Sequence, residues 1–188
     1  DDGYFYSEGY MAMGDYPTFK IYDASLDMIF NATPSQQYPF ENLAVYTLDQ
    51  LTVIQSYQFE AHANLMSFLD IPEDNSIANM FNPIYDNVAS IIGEAISTIP
   101  VDGGWIGSLN NVECTKGYWL SIHEENDSLS IVGSGNCSMD QEYSLTTGPN
   151  LISYPLYQNQ TIEGSLPDYV EEGLVGIITD GYSALIID

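Results

Sequence analysis

Asp70, Glu73, Asp74 and Asn75 lie within one short stretch of the chain. A cluster so rich in side-chain oxygen suits a hard cation such as calcium, which takes several carboxylate and carbonyl ligands. Glu124, Glu125 and Asp127 form a second acidic cluster, and Asp168, Glu171 and Glu172 a third. None follows the spacing of an EF-hand loop or of an acidic nonapeptide repeat. The first is the best placed, because its loop is expected between a strand and a helix start. Asp70, Glu73 and Asp74 are therefore the candidate ligands of one structural calcium ion. The competing reading is a loop whose acids are simply solvated. Calcium is the only cofactor the sequence suggests.

Catalytic chemistry finds less support. The two histidines, His62 and His123, sit in no recognisable catalytic setting. No Gly-x-Ser-x-Gly elbow is present, and Gly133-Ser134-Gly135 reads as a turn. With 27 Asp and Glu, some carboxylate pairs must fall by chance at the separation that glycoside hydrolysis needs. Such a pair carries weight only in a concave cleft. A Gly-rich, Lys-ending phosphate loop is absent. No catalytic residue is assigned, and the chain is expected not to be an enzyme.

Cys114 and Cys137 are the only cysteines, and their spacing fits no zinc pattern. They flank an aromatic strand and the hairpin after it. In a secreted protein they are expected to form one disulfide; the alternative is two buried thiols. Asn-x-Ser/Thr occurs at Asn31, Asn126, Asn136 and Asn159, candidate glycosylation sites in a source that glycosylates. Tyr4, Phe5, Tyr6, Tyr10 and Tyr16 crowd the first 16 residues. They read either as a platform for stacking on sugars or as a partly buried strand pair. Trp105 and Trp119 read as core.

The charge balance excludes other functions. Against the 27 acids stand two lysines, Lys20 and Lys116, and no arginine, for a formal net charge of −25. Nucleic-acid binding demands Lys and Arg for the phosphates, and anionic membrane surfaces demand the same. Neither is an expected partner. Self-repulsion on this scale weakens in salt, where the Debye length is about 8 Å near physiological ionic strength, so a saline exterior suits the chain. Acidity that merely keeps an exposed protein soluble explains the composition equally well. No run reaches the roughly 18 apolar residues of a membrane span, so membrane insertion is not expected.

Fifteen Tyr and seven Phe favour strands, and fifteen Gly with nine Pro suit short strands joined by turns. Strands are expected at 18–22, 28–30, 43–46 and 51–57, then at 65–69, 88–92, 105–109, 118–122 and 128–132. Pro72 to Ser76 signals a helix start that places Ile77, Met80, Phe81 and Ile84 on one face. Asp102-Gly103-Gly104 reads as a turn, and residues 124–127 as a hairpin tip.

Asn64-Leu65-Met66-Ser67-Phe68 returns 86 residues later as Asn150-Leu151-Ile152-Ser153-Tyr154. Ile77 then falls opposite Ile162, and Ala89-Ser90-Ile91-Ile92 opposite Val175-Gly176-Ile177-Ile178. Ile162 and Leu166 mark the second helix, with Pro167 closing it. The first copy continues through Trp105-Ile106-Gly107-Ser108-Leu109 to Gly117-Tyr118-Trp119-Leu120, whereas the second contains neither segment. A repeat without its closing strands cannot bury its own apolar face. The chain is therefore expected to be a piece of something longer, or to be completed by a neighbour.

These three segments together resemble the N-L-I-S-x-P … W … G-Y-W modules that recur in large secreted or surface proteins of bacteria, marine ones especially. Residues 7–25, from Ser7-Glu8-Gly9-Tyr10 through Pro17-Thr18-Phe19-Lys20-Ile21-Tyr22-Asp23-Ala24-Ser25, are similar to a β-sandwich segment that often precedes such modules. The chain departs from the pattern at Leu69, where the module has Pro; the second copy keeps it as Pro155. The resemblance implies a surface-exposed array module and carries over no catalytic residue.

The expected fold is mainly β: an incomplete β-sandwich-like unit (1–58), then repeated β-rich modules with a short helix, one complete (59–143) and one truncated (144–188). The expected function is that of a non-catalytic extracellular structural or assembly module of a filament, surface array or virion fibre, with strands completed between subunits. Its partners would be copies of itself or flanking modules. The alternative is an adhesion module for carbohydrate or a host surface, assisted by calcium.

Overall fold

A computed structural model describes residues 9–24, 27–123, 126–133, 137, 140–157 and 159–185, with the main chain alone at Glu163. The protein is mainly β, with eleven strands in three antiparallel sheets among these residues. The first sheet takes β1 (Phe19–Asp23), β2 (Met28–Pro34), β3 (Leu51–Phe59) and β9 (Asp127–Val132) in the spatial order β1-β2-β3-β9. The second takes β4 (His62–Met66), β5 (Val88–Gly93), β6 (Ile96–Val101), β7 (Gly104–Gly107) and β8 (Tyr118–Ile122) in the order β4-β8-β5-β6-β7. A two-stranded hairpin, β10 (Gly176–Thr179) and β11 (Tyr182–Leu185), stands apart.

One hydrophobic core joins the first two sheets. Phe59, Leu129 and Ile131 from β3 and β9 meet Met66, Val88, Ile91, Leu120 and Ile122 from β4, β5 and β8. The first sheet therefore runs across the boundary at residue 58, since β3 pairs along its length with β9. Between the sheets, Phe68 sets its ring edge-to-face on Tyr57 and Phe81, at 5.2 and 6.1 Å between centroids.

The helix α1 (Ile77–Phe81) starts where the sequence places it. Ser76 is extended and its Oγ accepts from the Asn79 N–H at 3.2 Å, which satisfies one of the amides left over at a helix start. Ile77, Met80 and Phe81 are buried, and Ile84 follows into the core from a 3-10 turn over Asn82–Asn87. Beyond Asp102-Gly103, where both residues take positive φ (46° and 82°), the chain reverses into β7. β7 ends at Gly107, whose φ is 155°; a Cβ there would lie 2.1 Å from the Ser97 carbonyl oxygen, so only glycine lets the two chains approach.

Three strands differ from expectation. Residues 43–46 form no strand: Leu43 has a φ of 61° and is 94% exposed, and the loop is held instead by Tyr38 stacked on Tyr46 at 4.5 Å. β4 begins three residues earlier than expected, at His62, and Phe68 has left the strand. β6 lies outside the expected strands and carries Pro100 in its interior. It is tolerated because β5 pairs with β6 only as far as Thr98, leaving Pro100 with a single neighbouring strand, β7.

Burial pushes the Tyr57 hydroxyl up to about 12, opposed in part by the Leu69 N–H that donates to it and reinforced by the nearby Tyr157 and Asp70. Burial likewise raises Tyr118 and Tyr157. Each folded-state value lies above the ordinary 10 of the unfolded chain. Their contribution to stability is thus complete below pH 10 and is lost as pH rises beyond it, for Tyr57 through about 12. Unfolding midpoints should fall steeply over that window. Tyrosinate absorbance should show these three rings ionising only as the chain unfolds, and Tyr57→Phe should flatten the decline.

Candidate functional site

Two of the three acids proposed as calcium ligands, Asp70 and Asp74, accept hydrogen bonds locally. Asp70 Oδ1 accepts from the N–H groups of Ile71 (2.9 Å) and Cys137 (3.2 Å), tying the loop to the cysteine bridge. Asp74 Oδ1 accepts from the Ser76 N–H at 3.1 Å, and Ser76 holds its carboxyl below the ordinary carboxylate value. Glu73 is exposed. In the second cluster, Asp127 accepts from Asn87 and from the Ser128 N–H, while Glu124 and Glu125 lie outside the described residues. In the third, Asp168 and Glu171 belong to a one-turn helix and Glu172 caps it. Among the described residues, no three acids, histidines or cysteines converge as a metal would require.

Cys114 and Cys137 form a disulfide, with Cα atoms 5.5 Å apart. Asn31 and Asn159 are exposed. Asn126 is exposed too, but its side-chain oxygen accepts from the Ala61 N–H at 3.1 Å. Asn136 lies outside the described residues, as do Tyr4, Phe5 and Tyr6. Tyr10 and Tyr16 are exposed. Trp105 packs edge-to-face on Phe81 and Tyr85 against the core, and Trp119 lies on β8; both are half-buried. His123 shares an open depression with Asp86, Asp102 and the Tyr85 ring; no serine, cysteine or lysine lines it. Among the described residues no helix is long and apolar enough to cross a membrane.

The local geometry of residues 60–98 recurs in 146–184. Asn64 Oδ1 accepts from the Glu60 N–H, and its Nδ2 donates to the carbonyls of Glu60 and His62. Asn150 makes the same three bonds to Thr146 and Gly148. His62 and Gly148, the residues spanned by these two clamps, both take positive φ (79° and 104°). Thr161 caps α2 (Ile162–Ser165) as Ser76 caps α1, each oxygen accepting from the amide three residues on. Leu166-Pro167 then ends α2, and α3 (Asp168–Glu171) follows. The hairpin β10–β11 copies β5–β6 residue for residue. Ile91↔Thr98, Ile92↔Ser97 and Gly93↔Ile96 become Ile177↔Ala184, Ile178↔Ser183 and Thr179↔Tyr182, and Ala95 and Gly181 both turn at positive φ.

The surroundings of these matched positions differ. Phe68 is 1% exposed and Tyr154 40%; Ile77 is 1% exposed and Ile162 43%. In the first unit β8 lies between β4 and β5, but among the described residues β10 pairs with β11 alone. Residues 151–153 instead lean on the first unit. The Gly117 N–H donates to the Leu151 carbonyl at 3.0 Å, the Ser153 N–H donates to the Thr115 carbonyl at 3.1 Å, and Ser153 Oγ reaches the Cys114 carbonyl. Asp180, at the β10–β11 turn, accepts from the Leu65 N–H at 3.4 Å. Its counterpart Glu94 holds Lys116 in a 3.1 Å ion pair.

The sequence reading stopped the match at Ile92 and Ile178 and so missed this turn. The signal was present: Glu94 and Asp180, Ala95 and Gly181, and Ser97 and Ser183 continue the 86-residue interval. Comparison with known proteins adds nothing to these residues: no family model matches the chain, and neither does any curated protein or solved structure.

Proposed function

We propose that this chain is a non-catalytic extracellular structural module that spaces or assembles a filament, surface array or virion fibre. It would comprise an incomplete N-terminal sandwich-like unit (1–58) whose sheet continues into β9, one whole module (59–143) and a truncated second copy of that module (144–188), with strands completed between subunits. The observation that carries this reading is the contrast between matched positions: the clamp, helix cap and hairpin of 60–98 recur in 146–184, yet side chains buried in the first stretch lie open in the second. Open apolar positions on a regular framework suit assembly rather than turnover of a substrate. The disulfide and the net charge of −25 favour an oxidising, saline exterior. Partners would be copies of the chain or flanking modules, not nucleic acid or the membrane interior.

Immunogold labelling with antibody against the chain tests this on native material. Label should decorate extracellular filaments, arrays or particle surfaces; label confined to the cell interior would end the proposal. Salt supplies a second check. Raising ionic strength from millimolar to near-physiological should lift the melting midpoint by about 5 °C as self-repulsion is screened, and a flat response would remove the argument from charge.

A second reading, adhesion to glycans, draws on Tyr10, Tyr16, Tyr22 and Tyr46, which are exposed within the first 46 residues. It predicts retention on a glycan array that is lost when these rings are removed.

A further inference from the structure

We infer that the outer face of the second sheet is a contact surface for a second copy of this chain, the two copies stacking sheet on sheet. This rests on the assembly reading above and names its surface. Both large sheets turn one face to the shared core, so their side chains alternate between that core and the outside. Along β3 and β9 the outward positions are mostly polar, as a solvated face should be. Ser56 stands opposite Ser130 and Gln58 opposite Ser128, all four exposed, and only Ile54 and Val132 at one end depart from this. The second sheet is the reverse. Trp119 stands opposite Leu65 and Ile92, and Ile99 opposite Ile106, on the side away from the buried Ile91, Thr98 and Leu120. Ile92, Ile99, Val101 and Ile106 are exposed, Ile106 by 62%. The remaining outward positions of these five strands are alanine, serine or glycine.

Charge identifies the occupant. The chain carries a formal net charge of −25, yet none of these outward positions is acidic or basic. Two copies that meet elsewhere bring carboxylates together, and like charges so placed oppose association. On this face they meet none. A surface that pairs with itself across a two-fold axis must tolerate its own image, and an uncharged apolar one does. A cationic partner would be drawn instead to the acidic remainder of the molecule. Beside the face, at the β5–β6 turn, the Glu94 carboxylate is offset by Lys116 at 3.1 Å. The second unit presents the same pattern. Ile178, Ser183 and Leu185 stand in the places of Ile92, Ser97 and Ile99, and all are exposed. Burial at Phe68 and Ile77 does not recur in the second unit, but this outward apolar set does, so each copy brings the surface twice. Sheets stacked in this way lie about 10 Å apart, with Ile99 and Ile106 of each copy interdigitating. Five strands span about 20 Å, and their outward positions run about 12 Å along the strands. That is less than a standard interface, so a single contact is weak and gains strength by repetition along an array.

The test is sedimentation equilibrium of the whole chain from about 1 μM to about 1 mM at near-physiological salt, a range that reads weak contacts. A reversible association of copies is expected, weakened roughly tenfold or more by Ile106→Glu and by Ile99→Glu. Both side chains are exposed, so neither change should move the melting midpoint of the dilute chain. Should one variant fail to fold by circular dichroism, the other decides. Ser130→Glu adds the same charge to the outer face of the first sheet and should leave the association in place. A chain that stays monomeric throughout would overturn the inference, as would association that ignores both isoleucine variants. Equal weakening by Ser130→Glu would also overturn it, by showing general repulsion rather than a contact at this face. Surface label in the immunogold experiment would stand under each of these outcomes, so failure here is distinguishable from failure of the assembly reading.

Discussion

Truncating Phe68 to alanine should lower stability by about 3–5 kcal/mol, whereas Tyr154→Ala should cost less than about 1 kcal/mol. The two residues hold the same place, four beyond the asparagine clamp that opens each unit. Phe68 is enclosed by Tyr57, Phe81 and Tyr118, so its removal forfeits both transfer free energy and the packing around the cavity left behind. Tyr154 keeps 40% of its surface in water, so its truncation leaves no comparable cavity. For a chain of this length the first change should lower the melting midpoint by about 6–20 °C and the second by at most a few degrees. Ile77→Ala and Ile162→Ala should repeat the contrast with a smaller gap. Denaturant midpoints of the four variants would measure it. Equal losses at Phe68 and Tyr154 would mean that the second unit is as fully packed as the first, and the contrast behind the assembly reading would collapse.

Replacing both cysteines with serine should cost about 3 kcal/mol. The bridge closes a loop across 23 positions, and a cross-link of that span removes roughly this much conformational freedom from the unfolded chain. The loss should not be spread evenly. Cys137 donates its N–H to Asp70, and the Cys114 carbonyl accepts from Ser153, so the bridge sits where the loop after Phe68 meets the start of the second unit. Hydrogen exchange should therefore accelerate first at 115–117 and 151–153, and only later in β5 and β8. Uniform acceleration through the core would show the bridge acting on the unfolded chain alone.

Much of the fold could be read from residue order. β8 falls on the expected bounds, 118–122, because Tyr118, Leu120 and Ile122 alternate cleanly with Trp119 and Ser121. The Ser76 cap and the Asp102-Gly103 turn have local causes, and local causes are visible in sequence. What escaped has causes elsewhere. Leu43 adopts a left-handed backbone without being glycine, so nothing in its neighbours marks the loop. The pairing of β3 with β9 joins segments more than 60 residues apart, and residue pattern does not name a strand's partner. At the site, the recurrence of Asn64-Leu65-Met66-Ser67-Phe68 was legible. That Phe68 is enclosed and Tyr154 open was not, since exposure depends on which strands arrive beside them. The acidic cluster at 70–75 shows the same limit: that Asp70 and Asp74 accept from main-chain amides is not visible in composition.

Lys116 and Gly117 form the one peptide bond after a lysine or arginine beyond position 20. Cys114 lies before that bond and Cys137 after it, so a protease nicking the chain there releases nothing. The two pieces would migrate as one species until a reductant parted them. A particle built from such subunits could be cut at every Lys116 and keep its mass.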